Sequence, residues 1–192
     1  MSEILIAYTT NAGSTVEVAQ SIADELIQRG FSITLQNISE IKDISTYDGV
    51  IVGAPMIFGW HGLAKKFTRK FRRELAGKKC AYFCTAISLT KDATVQVLGI
   101  PVYLDPFSAK APENAQKMTY QEKYALPENY VKPILKQTPD IQPISVALFG
   151  GKLDMGKLNI FQMIFVMAII RAQPGDYRNW DAIRQWANSL EL

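Results

Sequence analysis

Apolar positions along the chain fall into two patterns. Ile4 to Tyr8 is a short, unbroken apolar run, and Gly49–Gly53, Cys80–Ala86 and Ile144–Phe149 are likewise short and mostly apolar, while Phe31–Ile38 alternates. Short runs of this kind read as strands, and unbroken ones as strands covered on both faces. Between them, Val16, Val18, Ala19, Ile22, Ala23, Leu26 and Ile27 recur at helical spacing and stop at Gly30. Leu63, Phe67, Phe71 and Leu75 mark the inward face of a helix over 63–75, and Ile183, Trp186, Ala187 and Leu190 that of a closing helix from Asp181 to Leu190. Strands that alternate with helices require crossover connections and a parallel sheet. The pattern predicts a doubly wound, three-layer α/β fold on a five-stranded parallel sheet, in which ligands bind beyond the carboxyl ends of the strands at a topological switch point.

The interval from Thr90 to Pro143 breaks this rhythm. Seven of the nine prolines lie between Pro101 and Pro143. Residues near Pro127 to Gln137 supply a crossover helix, which leaves 91–126 as an inserted loop or lid on a single domain spanning 1–192. Tyr103, Phe107, Tyr120 and Tyr124 of this region either cover a ligand or pack as an excursion on the sheet edge.

Composition narrows the function. The 192 residues are 48% hydrophobic, which excludes wholesale disorder. Two cysteines and one histidine cannot build a Cys/His zinc site, and no metal is expected. Cys80 and Cys84 sit four residues apart on one strand, too far to bridge, and read as buried structural thiols. The N-terminus carries no basic region ahead of its short apolar run, so a cytoplasmic protein, soluble or peripheral to a membrane, is expected. The net charge of +3 is too mild for a nucleic-acid binder. Its distribution is uneven: Lys65, Lys66, Arg69, Lys70, Arg72, Arg73, Lys78 and Lys79 face Glu74 alone within 65–79, so the remainder is acidic. That basic face suits anionic lipid, an acidic redox partner, substrate carboxylates or plain solvation. Met163–Ile170 is apolar all round; a helix over 160–170 would dock at a membrane or hydrophobic partner, form a homodimer interface, or lie under the insertion.

The chemistry concentrates after the first strand. Thr10, Asn11, Ala12, Gly13, Ser14 and Thr15 lie where a helix begins, and its first N–H groups lack intrahelical partners and favour an anion. Hydroxyl groups add neutral donors. The loop has no Lys or Arg, so it is not a nucleoside-triphosphate loop, and its single glycine is not a dinucleotide fingerprint. A monophosphate held without a cation remains, beside the simpler reading of a hydroxyl-rich helix cap.

With these residues in view, Tyr8–Thr15 resembles the FMN phosphate loop of the flavodoxin-like family. Val50–Gly59 is similar to the family's third strand and the loop beside the flavin ring. Phe149–Leu153 together with Gly175–Trp180 resembles the branch containing menaquinone-dependent protoporphyrinogen dehydrogenase. The resemblance covers roughly 3–90 and 144–190. It implies FMN, strand order 2-1-3-4-5, the phosphate at Thr10–Thr15, and ring contacts from Pro55, Met56, Ile57, Phe58, Gly59 and Trp60 and from Thr85, Ala86, Ile87, Ser88 and Thr90. Phe58 and Trp60 would stack on the ring or simply pack their loop on the core. His61 would relay protons or cap the following helix. Three functions stay open: an oxidoreductase passing electrons from a reduced organic substrate, such as protoporphyrinogen IX, to a quinone; an electron carrier serving a redox protein; and a binding module with no redox role.

Overall fold

The computed structural model describes residues 2–57, 59–154, 156 and 173–192. The described elements run β1 (Glu3–Tyr8), α1 (Ser14–Gln28), β2 (Ser32–Asn37), β3 (Gly49–Met56), α2 (Gly62–Lys70), α3 (Arg72–Ala76), β4 (Lys79–Ala86) and β5 (Leu89–Thr90). They continue with β6 (Gln96–Val97), β7 (Ile100–Leu104), β8 (Ala109–Lys110), α4 (Tyr120–Tyr124), α5 (Pro127–Gln137), β9 (Ser145–Gly150), β10 (Lys152–Leu153), β11 (Gly175–Asp176) and α6 (Trp180–Ser189).

The apolar strands are unbroken because both faces of the sheet are covered. Successive side chains point to opposite faces. Ile4, Ile6, Ile51, Phe83 and Phe149 face α1 and α6, where they meet Val18, Ile22, Leu26, Ile183 and Trp186. Leu5, Val50, Val52, Tyr82, Cys84 and Leu148 face the opposite layer, built by Phe67 and Phe71, Leu75 of α3, and Val131 and Ile134 of α5. Phe149 and Trp186 meet edge-on, with ring centroids 5.6 Å apart.

The order β2-β1-β3-β4-β9 reproduces the expected 2-1-3-4-5 arrangement, with parallel pairing throughout. The sheet does not stop at five strands, however. β7 pairs parallel to β9, and β6 folds back on β7, giving seven. These strands come from the insertion, and they cover what would be the free edge of β9. Ile100, Val102 and Leu104 do alternate, but Pro101 and Pro106 punctuate the stretch and make it read as loop.

Other differences are local. The helix expected over 63–75 divides at Phe71, whose backbone leaves the α region at φ −101°, ψ 22°. Leu63 and Ile27, expected inward, are exposed in the terminal turns of α2 and α1. Of the 65–79 cations, Lys66, Arg69, Lys70, Arg72 and Arg73 are exposed on α2 and α3, where Arg72–Asp140 is an ion pair between exposed groups, whereas Lys78 donates to the Ser45 and Tyr47 carbonyls and Lys79 opens β4. The apolar segment 160–170 lies outside the described residues, among which no helix is long and apolar enough to cross a membrane. Cys80 and Cys84 are buried and free; burial pushes the Cys80 thiol up to about 12 and Cys84 also upward, so both stay protonated packing groups.

Gly53 marks a tight point of the central sheet. A Cβ there would sit 1.9 Å from the Phe83 ring. The ring is fully buried and has no free space into which to move. Gly53→Ala is expected to destabilise the fold by about 1–3 kcal/mol, read as a lower urea midpoint at unchanged slope.

Candidate functional site

Parallel strands of matched register deliver their carboxyl ends together: Tyr8 lies beside Gly53, and Met56 beside Ala86. The loops that leave these ends therefore converge, at the point where the chain turns from β2–β1 to β3–β4.

The first loop is shaped by its own backbone. Thr9 N–H donates to the Gly53 carbonyl at 3.0 Å and ties the loop to β3. The Thr10 hydroxyl accepts from Gly13 N–H at 2.9 Å. Gly13 has φ 93° and serves as N-cap of α1 without a side-chain cap, so the first-turn N–H groups of α1 face the loop without a side-chain acceptor from the cap position. The glycine is required by that left-handed backbone, since nothing lies within 4 Å of a Cβ built there. Thr15 Oγ1 lies 2.9 Å from Thr85 Oγ1, and this buried pair joins the start of α1 to the end of β4.

One pocket gathers Asn11, Ala12, Ser14 and Thr15 with Pro55, Met56, Ile57, Thr85 and Ile87. Gly151, Lys152 and Leu153 complete its wall. These three were not assigned as site residues from sequence, although the Gly-Gly pair directly after a buried strand was the available signal. Lys152 brings a cation to a pocket whose first loop has none.

The remaining site candidates take other places. Ala86 holds the wall through its carbonyl, which accepts from Gly151 N–H at 2.8 Å. The Ser88 carbonyl accepts from the Tyr130 hydroxyl at 2.7 Å. Thr90 is buried and donates its N–H to the Ala125 carbonyl at 2.9 Å. Thr10 and Gly13 set the shape of the loop from behind the pocket lining. Gly59, Trp60 and His61 line an adjoining cavity with Asn11, Pro55 and Ile57. Trp60 is only 4% exposed and packs against Tyr82 with centroids 5.3 Å apart. Its indole N–H is buried without a hydrogen-bond partner among the described residues. Trp60 thus belongs chiefly to the core. Phe58 lies outside the described residues.

His61 caps α2. Its Nδ1 accepts from Leu63 N–H at 3.2 Å, which assigns the ring proton to Nε2, 3.1 Å from Asn11 Oδ1. Burial, with help from Lys65, holds the imidazole below its ordinary pKa. The neutral tautomer is therefore committed to the cap and to the first loop.

A charge cluster flanks the start of α1. Arg178, whose side chain is 4% exposed, pairs with Glu17 of α1 at 2.7 Å and with Asp176, and lies 4.6 Å over the Trp180 ring. The Arg178 hydrogen bonds hold the Asp176 carboxyl below its usual range. Pairing Glu17 offsets the one negative charge in the first turn of α1, which would oppose an incoming anion.

Asp105 organises the wall beyond. Fully buried, it accepts from Phe107 N–H at 3.0 Å and from Asn179 Nδ2 at 3.1 Å, and its Oδ2 lies 2.6 Å from the Ser108 hydroxyl. The insertion is thereby fastened to the entry of α6.

Comparison with known proteins agrees with this architecture. The flavodoxin domain family matches residues 5–179. Protoporphyrinogen IX dehydrogenase [quinone] of Escherichia coli K12 is 29% identical over 199 residues, covering 97% of this chain and 93% of that protein. Among solved structures, a short-chain flavodoxin associated with a non-canonical PDU bacterial microcompartment aligns with TM-score 0.52 at 13% identity, over 99% of this chain and 97% of that one. A putative quinone reductase from Klebsiella pneumoniae aligns with TM-score 0.51 at 11% identity, over 100% and 85%. At those identities the structures speak to the fold alone. With strand order, phosphate-type loop and family match all in agreement, this chain belongs to the flavodoxin domain family.

Proposed function

We propose that this protein is an FMN-dependent oxidoreductase that takes electrons from protoporphyrinogen IX or a closely similar reduced substrate and passes them to a quinone. The observation that carries the flavin reading is the convergence of the α1 N-terminus, the Pro55–Ile57 loop and the Thr85–Ile87 segment on one pocket. The substrate reading rests on near full-length similarity to the dehydrogenase.

The residues suit a flavin mononucleotide. The N–H groups at the start of α1, which have no side-chain cap, and the Ser14 hydroxyl suit a phosphate, and among the described residues no acidic side chain lines the pocket. Pro55, Met56, Ile57 and Ile87 offer apolar area to a flat ring. FMN, when bound, supplies the redox chemistry. The chain's share is to hold the phosphate at Asn11–Thr15, to exclude water with its apolar loops, and to keep both loops in register through the Thr15–Thr85 contact.

A second reading, an electron carrier without its own substrate, draws on the open basic side of α2 and α3, which begins beside the site and suits an acidic redox protein. An anaerobic assay with protoporphyrinogen IX and menadione separates the two. FMN-dependent turnover is expected; a yellow protein that exchanges electrons with a redox protein but leaves the tetrapyrrole untouched would establish the carrier instead.

Ser14→Asp tests the phosphate position. A carboxylate in the first turn of α1 should raise the stability of the FMN-free protein by about 0.3–1 kcal/mol while weakening FMN binding by about tenfold or more through repulsion. Opposite signs in a urea titration and a flavin fluorescence titration are the expected result. Unchanged FMN affinity would move the phosphate elsewhere.

His61 gives a pH signature. Its folded pKa is lowered, so folding favours the neutral ring. Its contribution to stability is fully present above the unfolded pKa of about 6.5 and is lost as pH falls through the lower folded value. His61→Asn, which keeps a capping side chain, is expected to flatten that acid-side fall in urea midpoints measured from pH 7 to 5.

A further inference from the structure

A second cleft of about 550 Å³ shares Ile87 with the loop pocket. Its volume lies in the range of sites that take organic ligands. Phe107 and Ser108 of the insertion form one side, and Tyr177 and Trp180, ahead of and at the start of α6, form another. The walls are firmly placed. Asp105 fastens Phe107, Ser108 and Asn179 together, the Ser108 hydroxyl lies 2.9 Å from the Tyr177 carbonyl, and that carbonyl would stand 1.9 Å from a Cβ at Gly150.

The charges around the cleft are unequally committed. Arg178 is consumed by Asp176 and Glu17. Arg184 pairs with Asp181 only at the surface, one turn away, where such pairs hold weakly. Lys110, exposed on β8 opposite Thr90, makes no ion pair or side-chain hydrogen bond among the described residues. Among the described residues the cleft thus has one free cation and one that is loosely held, and its two carboxylates are already engaged. Beside them Phe107 leaves 86% of its surface open although its backbone is pinned. An aromatic ring held out at the rim of a cleft offers apolar area to an occupant.

From these features we infer that the cleft is the organic-substrate subsite, and that it takes an amphipathic carboxylic acid: the carboxylate on Lys110 and Arg184, the apolar body over Phe107 and against Ile87. The inference rests on the flavin reading above, because Ile87 is the wall that would separate such a ligand from the proposed ring site. A tetrapyrrole with propionate side chains belongs to this chemical class.

The test uses the FMN-loaded full chain and mesoporphyrin IX, a dicarboxylate porphyrin that is not a reduced substrate, with its dimethyl ester as the uncharged counterpart. Binding is followed by fluorescence. Lys110→Glu and Arg184→Glu are each expected to weaken mesoporphyrin binding by about tenfold, with FMN affinity unchanged. Lys66→Glu, a charge change on the distant basic helix, should have no comparable effect. The ester should bind the native chain weakly and ignore the Lys110 change. Absent binding of the acid, equal affinity for the ester, or indifference to Lys110→Glu would overturn the subsite. Charge-dependent binding without oxidation of protoporphyrinogen would leave the subsite standing and remove the dehydrogenase reading. Turnover whose KM ignores Lys110→Glu would do the reverse.

Discussion

The central sheet has to be covered on both faces, and most of the protein's organisation descends from that constraint. β1, β3, β4 and β9 carry almost no polar side chain because helices press on each face, α1 and α6 from one side and α2, α3 and α5 from the other. A polar group placed inside these layers would need a buried partner. The available chemistry is therefore displaced to the carboxyl ends of the strands, where backbone donors and hydroxyls meet open loops. The same pressure turns Cys80, Cys84 and Tyr82 into packing groups, their ionised forms disfavoured by burial.

Positioning at the carboxyl edge is done by a few short polar contacts. Thr9 ties the first loop to β3, the Thr15–Thr85 hydroxyl pair ties α1 to β4, and Gly151 N–H ties the wall after β9 back to Ala86. His61 closes the set by capping α2 while it reaches Asn11. Each of these links joins segments that lie far apart in the chain, so the pocket is held by cross-links between neighbours in space.

The insertion does more than cover. Its β7 extends the sheet beyond β9, and its Asp105 turn is bound to the entry of α6. The insertion is thereby built into the same rigid body as the strands, so its side chains stand at defined places relative to the first loop. Lys110 illustrates the point. It is an ordinary exposed lysine in sequence, but pairing of β8 with β5 sets it next to the Thr85–Thr90 segment.

The four long buried strands, the two helices of one layer, the crossover helix over Pro127–Gln137 and the hydroxyl-rich loop were all legible along the chain, because each depends on local periodicity or on turn chemistry within a few residues. From these the fold class and the phosphate-type loop follow. Tertiary structure alone decided the rest. That Ile100–Leu104 becomes a strand depends on the free edge of β9, more than 40 residues later in the chain. That Trp60 is buried against Tyr82 depends on which strand its loop packs over. Gly151, Lys152 and Leu153 enter the site, and Lys110 and Arg184 flank one cleft, only because β4, β9 and α6 are neighbours in space. Sequence patterns record which face of each element is buried; they do not record which distant element does the burying, and the site is made of those long-range choices.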